Sequence, residues 1–243
     1  MRISALKSLT TSAAFLVLLA ASGNAARATE LVSNGSFATG TLADWTLVTT
    51  ANGSLGHSPY PDVTSFNVTG TGATNAAKFQ VGQLNFAGYG STPAGGGISQ
   101  SITTTAGSLD FSADIAAYNS NSVGSNAQAG IFSVVLDGVT EDTVSLGSIP
   151  SGQTFRGTLS FDTTVSAGPQ TLEILMTRPY TNTLEGDTSP LDATPFQYVT
   201  GISATQASVS PVPLPGALPM FGCAIAGLGM VGARSRSRKS LES

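Results

Sequence analysis

An all-β fold, an antiparallel β-sandwich of the jelly-roll kind, is predicted for the body of this 243-residue chain by three observations. Short stretches alternate apolar and polar residues, clusters of Gly, Asn, Ser and Pro separate them, and no amphipathic helix lies between the two ends. Residues 108–118 alternate most clearly, with Leu109, Phe111, Ala113 and Ile115 on one face and Asp110, Ser112 and Asp114 on the other. Similar stretches are 76–81, 97–103, 130–137, 143–149, 155–161, 170–177 and 201–209. In 170–177 the inward set is Leu172, Ile174 and Met176. Asp137-Gly138 reads as a hairpin turn between two of these strands. Turn-rich segments fill 119–126 and 181–195. About eight or nine such strands with short connections make a sandwich.

The two ends read as addresses. Arg2 and Lys7 form a positive start, and an apolar run around Phe15, Leu16, Val17, Leu18 and Leu19 follows. Ala26 and Ala28 supply the small residues of a signal-peptidase site, so 1–28 is expected to be a signal helix cleaved after Ala28. At the other end, Val212-Pro213-Leu214-Pro215 precedes an uncharged stretch, 216–233. As a helix that stretch spans about 27 Å, enough for a bilayer's hydrocarbon. Arg234, Arg236, Arg238 and Lys239 then form a stop-transfer cluster that stays cytoplasmic. Cys223 reads as one more apolar residue of the span. The expected organisation is therefore a signal at 1–28, a sandwich at 29–210 and a terminal module at 211–243.

That terminal order resembles the PEP-CTERM sorting signal, in its Val-Pro-Leu-Pro variant. The resemblance implies an exosortase, a membrane transpeptidase-like enzyme, that reads Val212, Pro213, Leu214 and Pro215. The implied route uses the translocon and signal peptidase, then a transient inner-membrane intermediate, then the cell surface or extracellular matrix. The physics agrees with that role: the two prolines hold an extended peptide, the form such an enzyme's cleft accepts. Gly222, Gly227, Gly229 and Gly232 let the span pack closely against another helix.

Without its ends the chain is acidic. Residues 29–211 carry Lys78, Arg156 and Arg178 against thirteen Asp and Glu, a net charge of −10 that the whole-chain value of −4 hides. No basic patch exists to attract phosphate, so nucleic-acid binding is excluded. One Cys and one His leave no set of metal ligands of those types. Catalysis has little to draw on: no Gly-x-Ser-x-Gly elbow occurs, His57 lies in a Gly-Ser-Pro loop, and Asp110/Asp114 and Glu141/Asp142 read as a solvated strand face and turn. The chain is not expected to be an enzyme.

Near the start of the body stands Asn34-Gly35-Ser36-Phe37-Ala38-Thr39-Gly40, followed by Leu42-Ala43-Asp44-Trp45. With Ile98-Ser99-Gln100-Ser101-Ile102 and the strand at 109–118, it resembles galactose-binding-like jelly rolls, a group that includes many carbohydrate-binding modules. That group commonly has an acidic residue after the Phe and an acidic pair near the last strand, which help hold a structural calcium. Ala38 and Val199-Thr200-Gly201-Ile202 stand there in this chain, so no cofactor is expected and calcium is the one the resemblance would allow. Phe37 and Trp45 read as plugs of the core. Tyr60, Tyr89, Tyr180 and Phe196 fall in expected loops, where aromatic faces either stack on sugars or cover the open end of a sandwich. The expected function is a non-enzymatic envelope or matrix protein associated with exopolysaccharide or biofilm. Its rival is a dedicated lectin-like module or a carbohydrate-active enzyme.

Overall fold

The computed structural model describes residues 28–84, 92–120, 125–126, 128–179 and 194–207. The expected signal up to Ala26, the Val212–Pro215 motif, the expected span at 216–233 and the basic tail lie outside them. Fifteen strands run through the described residues: β1 (Ala28–Glu30), β2 (Thr46–Thr49), β3 (Gly53–Ser54), β4 (Asp62–Phe66) and β5 (Thr74–Phe79). Next come β6 (Gly82–Gln83), β7 (Ala94–Thr104), β8 (Gly107–Tyr118), β9 (Ser125–Asn126) and β10 (Ile131–Leu136). The last are β11 (Val139–Ser145), β12 (Ile149–Pro150), β13 (Thr154–Val165), β14 (Gly168–Arg178) and β15 (Phe196–Ala207). No described helix is long and apolar enough to cross a membrane.

Two antiparallel sheets face each other. One has the order β13-β8-β15-β5-β4, with β1 also pairing β15; the other has β11-β10-β14-β7-β2. Their inner faces share one core, in which Leu109, Phe111, Ile115 and Val199 meet Ile98, Phe132, Val134, Leu172 and Ile174. The predicted period-two pattern becomes a real division between core and solvent over Ser108–Ile115, while Ala116 and Ala117 are both buried. Asp137 and Gly138 both have positive φ, at 48° and 81°, and join directly paired Leu136 and Val139 in the primed turn that suits hairpin twist. At one seam the sheets are linked by Ser160 N–H, which donates to Asp142 Oδ2 at 2.9 Å.

The Asn34–Trp45 segment closes one end of the core, as its aromatic pair predicted. Phe37 is fully buried despite a φ of 52°, and its ring lies 6.3 Å from that of Trp45. The Trp45 indole N–H donates to the Asn34 carbonyl, and Asn34 Nδ2 donates to the carbonyls of Thr41 and Ala43. Gly35 is obligatory here, because a Cβ would lie 1.9 Å from the Ile202 carbonyl oxygen.

Three inward glutamines hold what the ladders leave open. Gln100 accepts from Ser33 N–H and donates to Ser33 and Asp44 carbonyls, acting as a side-chain peptide against a loop. Gln206 does the same with the N–H and carbonyl of Thr105. Gln197, fully buried, accepts from Val81 N–H and donates to the carbonyls of Ala129 and Pro195. A polar side chain on an inner face is tolerable only when its capacity is used in this way.

Several strand boundaries differ from the expectation. β7 starts at Ala94, upstream of 97, because Gly95, Gly96 and Gly97 are strand residues. A Cβ on Gly97 would sit 1.8 Å from the Ile174 carbonyl oxygen, so the glycines serve close backbone approach, not a turn. β15 begins at Phe196 and continues through a bulge at Gly201, φ 60°, which read as a strand start. The strand expected at 143–149 is β11 at Val139–Ser145, with Ile149 in the separate β12. β4 was absent from the expected strands altogether.

Replacing Gln197 with Leu would strand Val81 N–H and two carbonyls in the interior. With a lost partner costing about 1–3 kcal/mol and some repaid by apolar burial, urea unfolding should show a loss of roughly 2–4 kcal/mol. An unchanged midpoint would contradict the clamp.

Candidate functional site

The outer face of the six-stranded sheet is built by alternate residues of its strands. On β15, Gln197 and Val199 point inward, so Phe196 and Tyr198 point outward. Register then fixes their neighbours: Phe196 pairs Tyr118, Tyr198 pairs Ala116 on one side and Lys78 on the other, and Lys78 pairs Asp62. One row across five strands reads Asp62, Lys78, Tyr198, Ala116, Arg156. None of these residues is near another in sequence except through the sheet.

Tyr60, in the loop before β4, completes the group. Its ring lies 5.3 Å from that of Phe196 at 56°, forming an open V. The Lys78 ammonium sits in that V, 4.0 Å from the Phe196 centroid and 4.7 Å from the Tyr60 centroid, and donates to the Tyr60 hydroxyl at 3.3 Å. Beside it, Asp62 Oδ1 is buried and takes no hydrogen bond from Lys78 or any other described residue. A buried carboxylate oxygen without a donor is costly, and such atoms are uncommon in folded proteins.

The middle of the row is covered. Phe66 stacks on Tyr198 at 3.8 Å and 4°, and Val68 is buried against them with Ala76 and Ala116. The Asn67–Gly72 loop is tied down from the far side, where Arg156 Nε donates to the Asn67 carbonyl at 3.1 Å. Tyr198 is accordingly a member of a small satellite core. Burial, then the nearby Tyr60, Asp62 and Tyr118, raises its hydroxyl well above the ordinary 10.0. Arg156 is separated from Lys78 by this covered patch.

Of the four loop aromatics read as either sugar contacts or end covers, the structure brings Tyr60 and Phe196 together. Phe196 is corrected from a loop to the first residue of β15, a change that sets its ring on the sheet face. Tyr89 and Tyr180 lie outside the described residues. Tyr118, Tyr198, Lys78 and Asp62 were missed. The outward series Phe196/Tyr198 was the one available signal, hidden by Pro195. Ala28 is the first residue of β1, paired with Ala207. Glu30 holds this pairing: its carboxylate accepts from Ala204 N–H at 2.9 Å and Ser203 Oγ at 2.5 Å.

The remaining polar candidates are dispersed. His57 is exposed, with its carbonyl accepting from Tyr60 N–H. Asp110 and Asp114 lie on the outer face of β8, four residues and so about 13 Å apart; Asp110 is opposite Asp162. Among the described residues no three His, Cys, Asp or Glu side chains converge as metal ligands. Arg178 is buried at the end of β14, its Nε donating to the Gln128 carbonyl at 2.8 Å, and burial lowers its pKa to about 10.

No protein-family model and no curated protein matches this chain. Among solved structures it is similar to TmCBM61 in complex with β-1,4-galactotriose, at 12% identity and a TM-score of 0.40, over 72% of this chain and 97% of that one. It is similar also to the CBM22-1 xylan-binding domain of Paenibacillus barcinonensis Xyn10C, at 14% identity and 0.40, over 76% and 99%. A third is the enzymatically active domain of bacteriophage CBA120 tailspike protein 4, at 12% and 0.39, over 72% and 21%. Likeness of this depth concerns the outline of the fold and says nothing of a ligand for this chain.

Tyr198 gives a pH signature. Its raised pKa means that the folded state keeps a proton the unfolded chain loses near pH 10, so this contribution to stability is complete below that pH and declines above it. In an alkaline ultraviolet titration of the folded protein, Tyr198 should give a late ionisation step, well above the ordinary tyrosine range. A Tyr198→Phe variant should lose that late step; its persistence would contradict the assignment.

Proposed function

We propose that this chain is an exported, non-enzymatic envelope or matrix protein whose sandwich binds glycan at the Tyr60–Phe196 face. The observation that carries the reading is the pair of half-buried rings, Tyr60 and Phe196, on the outer sheet face with the Lys78 ammonium held between them. Aromatic rings match the apolar faces of pyranose rings, and the Lys78 ammonium supplies a donor for hydroxyls. Binding of this kind needs no cofactor. Absence of catalysis is part of the proposal: Asp62 has no second carboxylate across a cleft among the residues that build the V, as glycoside hydrolysis ordinarily requires.

A screen of the exported protein against polysaccharides should give retention on at least one of them, without release of reducing ends. Phe196→Ala should weaken that retention about ten-fold, the scale of one lost aromatic contact, while far-ultraviolet circular dichroism stays unchanged. Steady release of reducing ends would favour a carbohydrate-active enzyme, and retention unaffected by Phe196→Ala would place the binding elsewhere.

The route to the surface is proposed from the ends of the sequence: signal cleavage after Ala28, passage through a single-span intermediate, and exosortase processing at Val212, Pro213, Leu214 and Pro215. Intact mass of the protein recovered from the cell surface should correspond to a chain that begins at Thr29 and lacks Phe221 to Lys239. A recovered species that keeps those residues would replace sorting by a permanent anchor.

A further inference from the structure

We propose that strand β2 is a self-association edge: two copies of this chain pair antiparallel through Thr46–Thr49 and join their five-stranded sheets into one. The inference stands apart from the glycan reading and concerns the other sheet. β2 ends the order β11-β10-β14-β7-β2, with β7 on one side and no strand among the described residues on the other. Thr50 N–H donates to the Gly95 carbonyl at 3.0 Å, one step beyond the Thr49↔Gly96 pair. Hydrogen bonds of an antiparallel ladder fall on alternate residues, so Thr46 and Val48 also face β7. Leu47 and Thr49 therefore direct their N–H and C=O groups away from the sheet, as a template for a further strand. Leu47 is 46% exposed, although its ladder partner Ile98 is fully buried in the core.

Charge and symmetry select a second copy as the occupant. Residues 45–61 contain no Asp, Glu, Lys or Arg, whereas the body as a whole carries −10. Copies of so acidic a body repel each other wherever carboxylates meet, and this edge brings none together. The other sheet ends are guarded as natural edges usually are. β11 carries Glu141 and Asp142, β13 carries Arg156 and Asp162 with its Ser160 N–H capped by Asp142, and β4 follows Pro61 and starts at Asp62. The open edge is also self-complementary. About a two-fold axis at Val48, Leu47 of one copy lies opposite Thr49 of the other, and both residues point their backbone groups outward. Each such pair exchanges two hydrogen bonds, so every outward N–H and C=O of Leu47 and Thr49 finds a partner. Val48 faces its own counterpart as the non-bonded pair between them, with Cα atoms about 4.5 Å apart.

The test uses the exported protein recovered from its host and kept in detergent. Its sedimenting mass should roughly double as concentration rises through the micromolar range. Leu47→Lys, a charge of the kind that guards natural edges, should weaken association about ten-fold or more with an unchanged circular dichroism spectrum. Val139→Lys, at a residue 60% exposed on β11, should leave association as it was. In a Cys223→Ala background, Val48→Cys should give a disulfide between copies under mild oxidation, because about 4.5 Å between Cα atoms is within that bond's reach. Val139→Cys should give none. Amide exchange at Leu47 and Thr49 should slow as the dimer forms, while Val48 is slow throughout. Association that survives Leu47→Lys, with no cross-link through Val48→Cys, would place the contact elsewhere and overturn the inference. A protein monomeric at every concentration would overturn it too: fast exchange at Leu47 and Thr49 would mean an edge left open, and slow exchange an edge covered by another part of this chain.

Discussion

Strand β15 makes the rest of the molecule possible, because successive residues of an extended chain face opposite ways. Gln197 and Val199 enter the interior, the first as a clamp on three backbone segments and the second as core. Phe196 and Tyr198, their neighbours, therefore emerge on the outer face beside Tyr118, Lys78 and Asp62. A slip of one residue in the pairing with β8 or β5 would exchange the two sets, placing a phenol in the core and an amide on the surface. The buried amide is what specifies the register: in any other alignment its partners would go unmatched.

How much of this was legible in the sequence depended on distance along the chain. Local patterns were readable: Leu109 to Ile115 alternate, Asp137-Gly138 can adopt positive φ, and Phe37 with Trp45 closes the core as their size suggested. Residues whose meaning comes from a distant partner were not. Gln100, Gln197 and Gln206 look like solvent-facing polar residues until the backbone groups they pair with are known. Strand β4, Asp-Val-Thr-Ser-Phe, hides because its Phe66 packs into a satellite cluster under a loop and not into the main core. The glycine run at 95–97 resembles a turn, yet the strands there approach too closely for any side chain.

The same limit applies to the site. Tyr60 and Phe196 could be chosen as aromatics off the alternating pattern, but their companionship could not, since 136 positions of sequence separate them. Lys78 and Asp62 join them only through ladder register. The site also sits at one end of the long strand β15. Phe196 opens β15 and Ala207 closes it, about 36 Å apart at the rise of a strand, and Ala28 pairs with Ala207. Ala28 and Ala207 thus lie at the far end of β15 from the Tyr60–Phe196 pair.

The most direct measurement is a crystal structure of the processed protein with an oligosaccharide cut from whichever polymer it retains. One pyranose is expected against Tyr60 and Phe196, with a hydroxyl accepting from the Lys78 ammonium. A sugar seated on the opposite sheet, or away from these two rings, would contradict the glycan-binding reading.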